Sequence, residues 1–178
     1  MSDLQEILSN FSSFIDLSLR AENSQARNPA FRFATPKFLI ENFNFPELEM
    51  YIEERTIKKI YDFHGVSVDF LKKIPLLLNN VDEEYISYIF KSNTQEDSRV
   101  VVSFEFVGQK PIIIAIAQNK QVNTNDFVNK IASVYEKDNA AVIFQRWEND
   151  QLLLYKNQHK LLTFPAKRTI VIKKKFRT

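Results

Sequence analysis

The sequence predicts an α+β fold in which helices come first and an antiparallel sheet of about four strands follows. Three segments with helical spacing or capping signals precede residue 80, and four strand-like apolar runs follow residue 85. The chain has 178 residues, of which 44% are hydrophobic and 26% charged. This composition suits one domain with a sizeable core and an appended segment.

Apolar residues recur at close to helical spacing from residue 4 to residue 19, and a polar stretch at 22–29 follows them. The pattern predicts an amphipathic helix and then a linker. The helix has three uses that the sequence leaves open: packing back on the domain, which is the default expectation, dimerising, or binding a partner. Residues 30–50 are rich in phenylalanine and contain Pro36 and Pro46, which predicts an extended arm.

Two further helices are predicted on either side of His64. The first covers 53–62 and contains the favourable i, i+4 pair of Glu54 and Lys58. Gly65 is expected to close it, and Ser67 to cap a second helix that runs towards residue 78. Pro75 predicts a break in that helix near 73–74.

The four strand candidates are 86–90, 100–106, 111–117 and 152–155. The short loop around Gly108 predicts a hairpin between the second and third. Residues 139–147 have helical composition, and Trp147 is expected to anchor the core.

The most informative segment, 129–139, follows the most apolar run. Asn129, Ser133 and Lys137 lie four positions apart, so they share one face in a helix. A strand would also place them on one face, together with Ile131 and Tyr135. The sequence leaves strand and helix open, and it leaves open whether this face is a site or only a solvated surface.

Several site chemistries are excluded by composition. The chain has no cysteine, so disulfides, thiolate nucleophiles and thiolate metal sites are absent. Its two glycines, Gly65 and Gly108, are too far apart in sequence for a Walker loop and too few for a dinucleotide-binding loop. The two histidines are distant in sequence, and the acidic residues show no metal-binding pattern. We therefore expect no metal and no cofactor.

Charge is divided unevenly along the chain. Residues 1–105 carry 11 basic and 17 acidic residues, whereas residues 106–178 carry 13 basic and 5 acidic ones. Six basic residues lie close together in the tail without an acid among them: Lys167, Arg168, Lys173, Lys174, Lys175 and Arg177. The pattern indicates either a surface for a polyanion or a terminal strand at 169–172 whose lysines discourage edge pairing.

No apolar run reaches the roughly 18 residues that span a bilayer. The first residues also lack the basic and apolar regions of a secretory signal. A cytoplasmic protein without membrane contact is therefore expected.

A series of short blocks resembles the phage MuF C-terminal domain family. In chain order they are 64–67 (HGVS), 74–75 (IP), 89–92 (IFKS), 100–102 (VVV), 111–116 (PIIIAI), 129–139 (NKIASVYEKDN) and 153–157 (LLYKN). The resemblance covers about 48–160. Lys91 and Glu136 depart from it, because the family pattern favours an acidic residue and a glycine at these positions.

The resemblance implies the fold of ribonuclease toxins of the barnase, EndoU, colicin and RelE type, with a two-helix unit followed by a twisted sheet that binds RNA across its surface. It divides the chain into an N-terminal helix and arm at 1–47, a ribonuclease-toxin-like domain at 48–160 and a basic tail at 161–178. The implied reaction is metal-independent cleavage of RNA by transesterification from the 2′-hydroxyl. The RNA could be transfer RNA.

Such a reaction needs a base, a cation and an acid. The expected catalytic residues are His64, Ser133, Tyr135 and Lys137. Histidine in general has a pKa of about 6.5 and can act as base or acid at neutral pH. Lys137 or Lys130 would be the cation, and Ser133 and Tyr135 would orient the phosphate or stack a base. The expected RNA-binding residues are Lys91, Ser92, Asn129, Lys130, Lys156, Lys173, Lys174 and Lys175.

Three alternatives stay open. His64 could be a capping residue, and Ser92, Asn157 and His159 could be turn residues. The domain could also be a non-catalytic module that binds nucleic acid or a phage protein. Finally, the N-terminal segment could bind an immunity or antitoxin protein or form a homo-oligomer.

Overall fold

The computed structural model describes residues 3–21, 29–107 and 110–159, with backbone alone at 106 and 107. The helices in this part are α1 (Leu4–Arg20), α2 (Lys37–Phe43), α3 (Glu54–Phe63), α4 (Val68–Lys72), α5 (Ile74–Asn79) and α6 (Ala140–Asn149). The strands are β1 (Ala30–Ala34), β2 (Glu49–Glu53), β3 (Ile86–Lys91), β4 (Ser98–Val107), β5 (Lys110–Asn123), β6 (Asp126–Glu136) and β7 (Leu153–Lys156). A short 3₁₀ turn covers Val81–Glu83.

The described strands form one mixed sheet of seven, in the order β1-β2-β6-β5-β4-β3-β7. Strands β2 and β6 are parallel, and the other neighbours are antiparallel. The α+β class and the four predicted strands, β3, β4, β5 and β7, are confirmed. The prediction of about four strands, all antiparallel, is wrong. Strands β1 and β2 lie in the proline-containing aromatic region, and β6 is the segment whose conformation the sequence left open.

Helices cover the two faces of the sheet unequally. The larger core joins α1 to α5 to one face, and α1 contributes the fully buried Phe11 and Ile15 to it. The expectation that α1 packs back on the domain is therefore confirmed. Helix α6 lies on the other face, where Phe144 and Trp147 pack against Phe90. A partner for the N-terminal segment stays a prediction.

Residues 30–50 are not one extended arm. They form β1, α2 and the beginning of β2, and β1 pairs with β2 inside the same sheet. The phenylalanines anchor this region as expected, because Phe33 and Phe45 are buried. The boundaries at 1–47, 48–160 and 161–178 stay a prediction, and the tail from residue 160 onwards lies outside the described residues.

The turn around His64 forms as its sequence predicts. Helix α3 ends at Phe63, His64 is its C-cap, and Gly65 has a φ of 62°. The Ser67 hydroxyl then accepts a hydrogen bond of 3.1 Å from the Phe70 amide and caps α4. The predicted break occurs at Lys73, directly before α5.

Gly65→Ala should lower the free energy of unfolding by about 1 kcal/mol, because a Cβ disfavours left-handed backbone. Apart from residue 65 and its two chain neighbours, no described residue has an atom within 4 Å of the position that this Cβ would occupy, so the cost is conformational rather than a clash. Urea denaturation measures it. Gly65→Asn is the matched control, and we expect it to lose less, since asparagine tolerates this conformation better. Equal stability of Gly65→Ala and the wild type would contradict the assignment.

A β-bulge in β6 changes which residues share a face. Ala115 pairs with Ser133 and Ile116 with Ile131, so Ala132 is an extra residue opposite no partner on β5. The bulge shifts by one position the alternation of β6 side chains between the two faces of the sheet. Asn129 is consequently buried on the α1–α5 side, whereas Ser133 lies on the opposite face. The predicted common face of Asn129, Ser133 and Lys137 is therefore wrong.

Asn129 was predicted to bind RNA, but the structure gives its side chain a structural role. Its side chain is fully buried. The amide nitrogen donates 3.0 Å hydrogen bonds to the Thr35 hydroxyl and to the Pro46 carbonyl, and the amide oxygen accepts one of 3.3 Å from the Asn119 backbone. These bonds tie β6 to the loops on both sides of α2 and to β5. Burial removes the side chain from contact with RNA, so the prediction that it binds RNA is wrong.

Asn129→Ala should lower the free energy of unfolding by about 2 kcal/mol, because it leaves buried polar groups without partners. Chemical denaturation tests this, with the exposed Asn93→Ala as a control that should stay within about 0.5 kcal/mol of wild type. If Asn129→Ala lowered the free energy of unfolding by no more than Asn93→Ala does, the structural role of Asn129 would be contradicted.

Candidate functional site

The candidate site lies where β6 loses β2 as its neighbour. The two strands pair only at Met50 with Asn129 and at Tyr51 with Lys130. The chain then leaves the sheet at Glu53, the N-cap of α3, and α3 lies against β6. This arrangement brings the C-terminal end of α3 to the C-terminal end of β6.

A pocket of about 240 Å³ opens at this junction. It is lined by Phe63, His64, Lys110, Tyr135, Glu136 and Asp138. The His64 and Tyr135 ring centroids are 6.1 Å apart, with 50° between the ring planes. His64 is half-buried, and its backbone amide donates a 3.0 Å hydrogen bond to the Ile60 carbonyl. The backbone bond caps the helix, so the imidazole itself is left to face the pocket.

Tyr135 lines the pocket from strand β6. It pairs with Ile113 of β5, on the face that α6 partly covers. Burial raises the pKa of the Tyr135 phenol above its ordinary value of 10. The hydroxyl therefore stays protonated at neutral pH and can donate a hydrogen bond or a proton.

Lys137 follows the end of β6 and is held by two aromatic rings. Its Nζ lies 5.9 Å from the Tyr135 ring centroid and 5.2 Å from that of Trp147. The Lys137 amide donates a 2.9 Å hydrogen bond to the Pro111 carbonyl, which fixes the backbone. Among the described residues, no carboxylate forms an ion pair with Lys137. The ammonium group is therefore positioned and still available to an anion.

Lys110 is a second cation at the pocket, but it is engaged. Its Nζ lies 2.5 Å from an Asp138 carboxylate oxygen. The hydrogen bond with Lys110 lowers the pKa of Asp138, and the same bond raises the pKa of Lys110. The pair lines one side of the pocket. Lys137 lies beside the pocket rather than in its lining, and its charge also helps to lower the pKa of Asp138.

Ser133 and Lys130 lie further back along β6. Ser133 is half-buried on the same face as Tyr135, and it is not among the pocket-lining residues. Lys130 forms a 3.0 Å ion pair with Glu53 and lies about 17 Å along the strand from Tyr135. The structure thus places His64 and Tyr135 in the pocket lining and Lys137 over the Tyr135 ring outside it, with Ser133 adjacent and Lys130 elsewhere.

The other expected RNA-binding residues are dispersed. Lys91 is exposed at the end of β3, three strands from β6. The Ser92 hydroxyl accepts hydrogen bonds from the Thr94 and Gln95 amides, as in a turn. Lys156 lies 3.5 Å from a Glu148 oxygen. Lys173, Lys174 and Lys175 lie outside the described residues.

Four pocket residues were not predicted as site residues: Phe63, Lys110, Glu136 and Asp138. Phe63 directly precedes His64, and the β4–β5 hairpin places Lys110 at the start of β5, beside the end of β6. Lys110 could have been predicted from the antiparallel pairing of β5 with β6. Because Ile112 pairs with Glu136, the start of β5 lies beside the end of β6.

No group of three or more metal-ligating side chains occurs in the described part of the chain. No helix in it is both long and apolar enough to cross a membrane.

A family model described as the phage MuF C-terminal domain matches residues 55–162, which is more than half of the chain. The chain belongs to the phage MuF C-terminal domain family. The match runs from α3 to just beyond β7, so the whole pocket lies inside this MuF C-terminal domain. Strands β1 and β2 and helices α1 and α2 precede it.

Comparison with curated proteins and with solved structures found no match. The likeness of this MuF C-terminal domain to ribonuclease toxins therefore stays a prediction.

Proposed function

We propose that the protein is a metal-independent endoribonuclease of a phage or mobile element, which cleaves RNA by attack of the 2′-hydroxyl on the adjacent phosphate. The observation that carries the proposal is that His64 and Tyr135 line one pocket and that the Lys137 ammonium group lies over the Tyr135 ring beside it. An imidazole, a protonated phenol and an unpaired ammonium group are the three chemical functions that this reaction requires.

In the proposed reaction, His64 takes the proton of the 2′-hydroxyl while its oxygen attacks phosphorus. The bond between phosphorus and the 5′-oxygen breaks, and the Tyr135 phenol donates a proton to that leaving oxygen. Lys137 stabilises the negative charge that develops on the phosphorane oxygens. The products are a 2′,3′-cyclic phosphate and a free 5′-hydroxyl, and solvent restores both protonation states.

The distribution of ion pairs favours this edge pocket over the middle of the sheet. On the face opposite α1–α5, Arg32 lies 2.6 Å from Asp126 and Lys130 lies 3.0 Å from Glu53. The hydrogen bond from Arg32 lowers the pKa of Asp126, which keeps this partner ionised. Cations that are already neutralised attract phosphate weakly. RNA bound across the sheet would have to break these pairs, whereas RNA at the pocket would meet Lys137 at the rim, where it forms no ion pair with a described residue.

Cleavage of RNA in EDTA tests the proposal. A single-stranded RNA and the same sequence with 2′-O-methyl groups are incubated with purified protein. We expect cleavage of the first and none of the second, because methylation removes the nucleophile. Cleavage of both would contradict the proposed mechanism.

The alternative is a non-catalytic module of the same fold. Its signature would be intact RNA together with binding that weakens steeply as salt rises.

A further inference from the structure

Phe63 is the most exposed of the large apolar side chains in the described part of the chain, at 78%. It is the last residue of α3, whose buried side is formed by Ile57 and Ile60. The side chain of Phe63 projects away from that core and lines the pocket beside His64. A scattered exposed apolar residue needs no explanation, but this one borders the candidate site.

The surroundings of Phe63 suit a flat partner with polar edges. The pocket beside it is otherwise lined by His64, Tyr135 and the charged groups of Lys110, Glu136 and Asp138. The core of a protein–protein interface is depleted of charged residues, and a lone ring among ionised groups does not provide such a core. An aromatic ring next to hydrogen-bonding groups is instead how proteins bind unpaired bases, by stacking on one face.

The size and charge of the site support the same partner. A pocket of about 240 Å³ is below the roughly 300–1,000 Å³ of sites for drug-sized ligands, which suits one nucleotide. Lys137 does not line the pocket, but its ammonium group lies over the ring of Tyr135, which does, and so supplies a cation at the rim for the phosphate attached to that base. Stacking and phosphate contact would then act on adjacent parts of one nucleotide.

We infer that Phe63 is the base-stacking residue of the site and that the substrate is single-stranded RNA. The inference rests on the proposed function and names the substrate class for it. Paired bases in a duplex present no free face, so double-stranded RNA cannot use Phe63. The stacked base positions its own phosphate between His64 and Lys137.

Fluorescence anisotropy with a labelled octaadenylate tests the inference. The full-length His64→Ala variant is used as the parent, so that the probe is not cleaved. Adding Phe63→Ala should weaken binding by about 5- to 150-fold, the range for loss of one base–aromatic stack. Phe63→Trp should retain affinity. Val142→Ala is the matched control, because Val142 is 61% exposed on α6 and does not line the pocket.

An oligomer of the same length without bases separates stacking from backbone contact. Its affinity should be equal for the parent and for Phe63→Ala. Unchanged octaadenylate binding in Phe63→Ala would overturn the inference, as would an equal loss for the abasic oligomer or a parent that binds neither RNA.

A cleavage assay in the background with His64 intact tells apart failure of the stacking inference and failure of the proposed ribonuclease function. Cleavage with the same kcat/KM in wild type and Phe63→Ala would reject stacking and leave the ribonuclease proposal standing. Phe63-dependent binding without any cleavage would reject the ribonuclease and leave stacking in place.

Discussion

His64→Ala is expected to lower the rate of RNA cleavage by about 100- to 10,000-fold, the usual contribution of a general base or acid. The imidazole faces the pocket beside Tyr135, whereas the contact of His64 that caps α3 is made by its backbone amide. Removing the side chain should therefore remove the base and keep the cap. Initial cleavage rates under single-turnover conditions provide the measurement.

The matched control is His159→Ala, which removes the other histidine of the chain. His159 is exposed after β7, at a distance of several strands from β6, and we expect its loss to leave cleavage unchanged. Equal rates for wild type and His64→Ala, with both proteins folded by circular dichroism and urea denaturation, would remove His64 from the reaction.

Lys137→Ala is expected to lower kcat by about 100- to 1,000-fold, which is the cost of removing one group that stabilises charge in a transition state. The cost in stability should be only about 0.5–1 kcal/mol, since the side chain is held by cation–π contacts to Tyr135 and Trp147. A large loss of rate with a small loss of stability would identify a chemical role. Steady-state kinetics and denaturation measure the two quantities.

Two variants control this experiment. Lys137→Arg keeps the charge and the contact with the rings, so we expect partial activity. Lys120→Ala removes an exposed lysine near the other end of the β5–β6 hairpin and should have little effect on kcat. An equal decrease in Lys137→Ala and Lys120→Ala would indicate that only general positive charge matters.

The fold was predictable from sequence where local chemistry decides it. Capping by Ser67, the left-handed Gly65 and the periodicity of α1 are local signals, and each is confirmed. Strands β1 and β2 were missed because phenylalanines and prolines obscure alternation between 30 and 50. The parallel pairing of β2 with β6 joins distant segments, and no local pattern specifies such a register.

The candidate site was predictable in part. His64, Ser133, Tyr135 and Lys137 were proposed together. His64 and Tyr135 line one pocket, Lys137 lies over the Tyr135 ring outside the pocket lining, and the catalytic roles of all four stay a prediction. Asn129 was assigned wrongly because the bulge at Ala132 shifts the alternation of β6 side chains between the two faces. The hydrophobic pattern of the sequence does not reveal one extra residue of this kind. Phe63 was overlooked because its exposure follows from the end of α3 and the position of β6, which are tertiary features.

Analysis of the cut ends tests the central claim most directly. Single-stranded RNA is incubated in EDTA with wild type and with His64→Ala, and the 3′ ends of the fragments are identified by mass spectrometry. We predict 2′,3′-cyclic phosphate ends with wild type and intact RNA with the variant. RNA left intact by both proteins, or 3′-hydroxyl ends with wild type, would contradict the account.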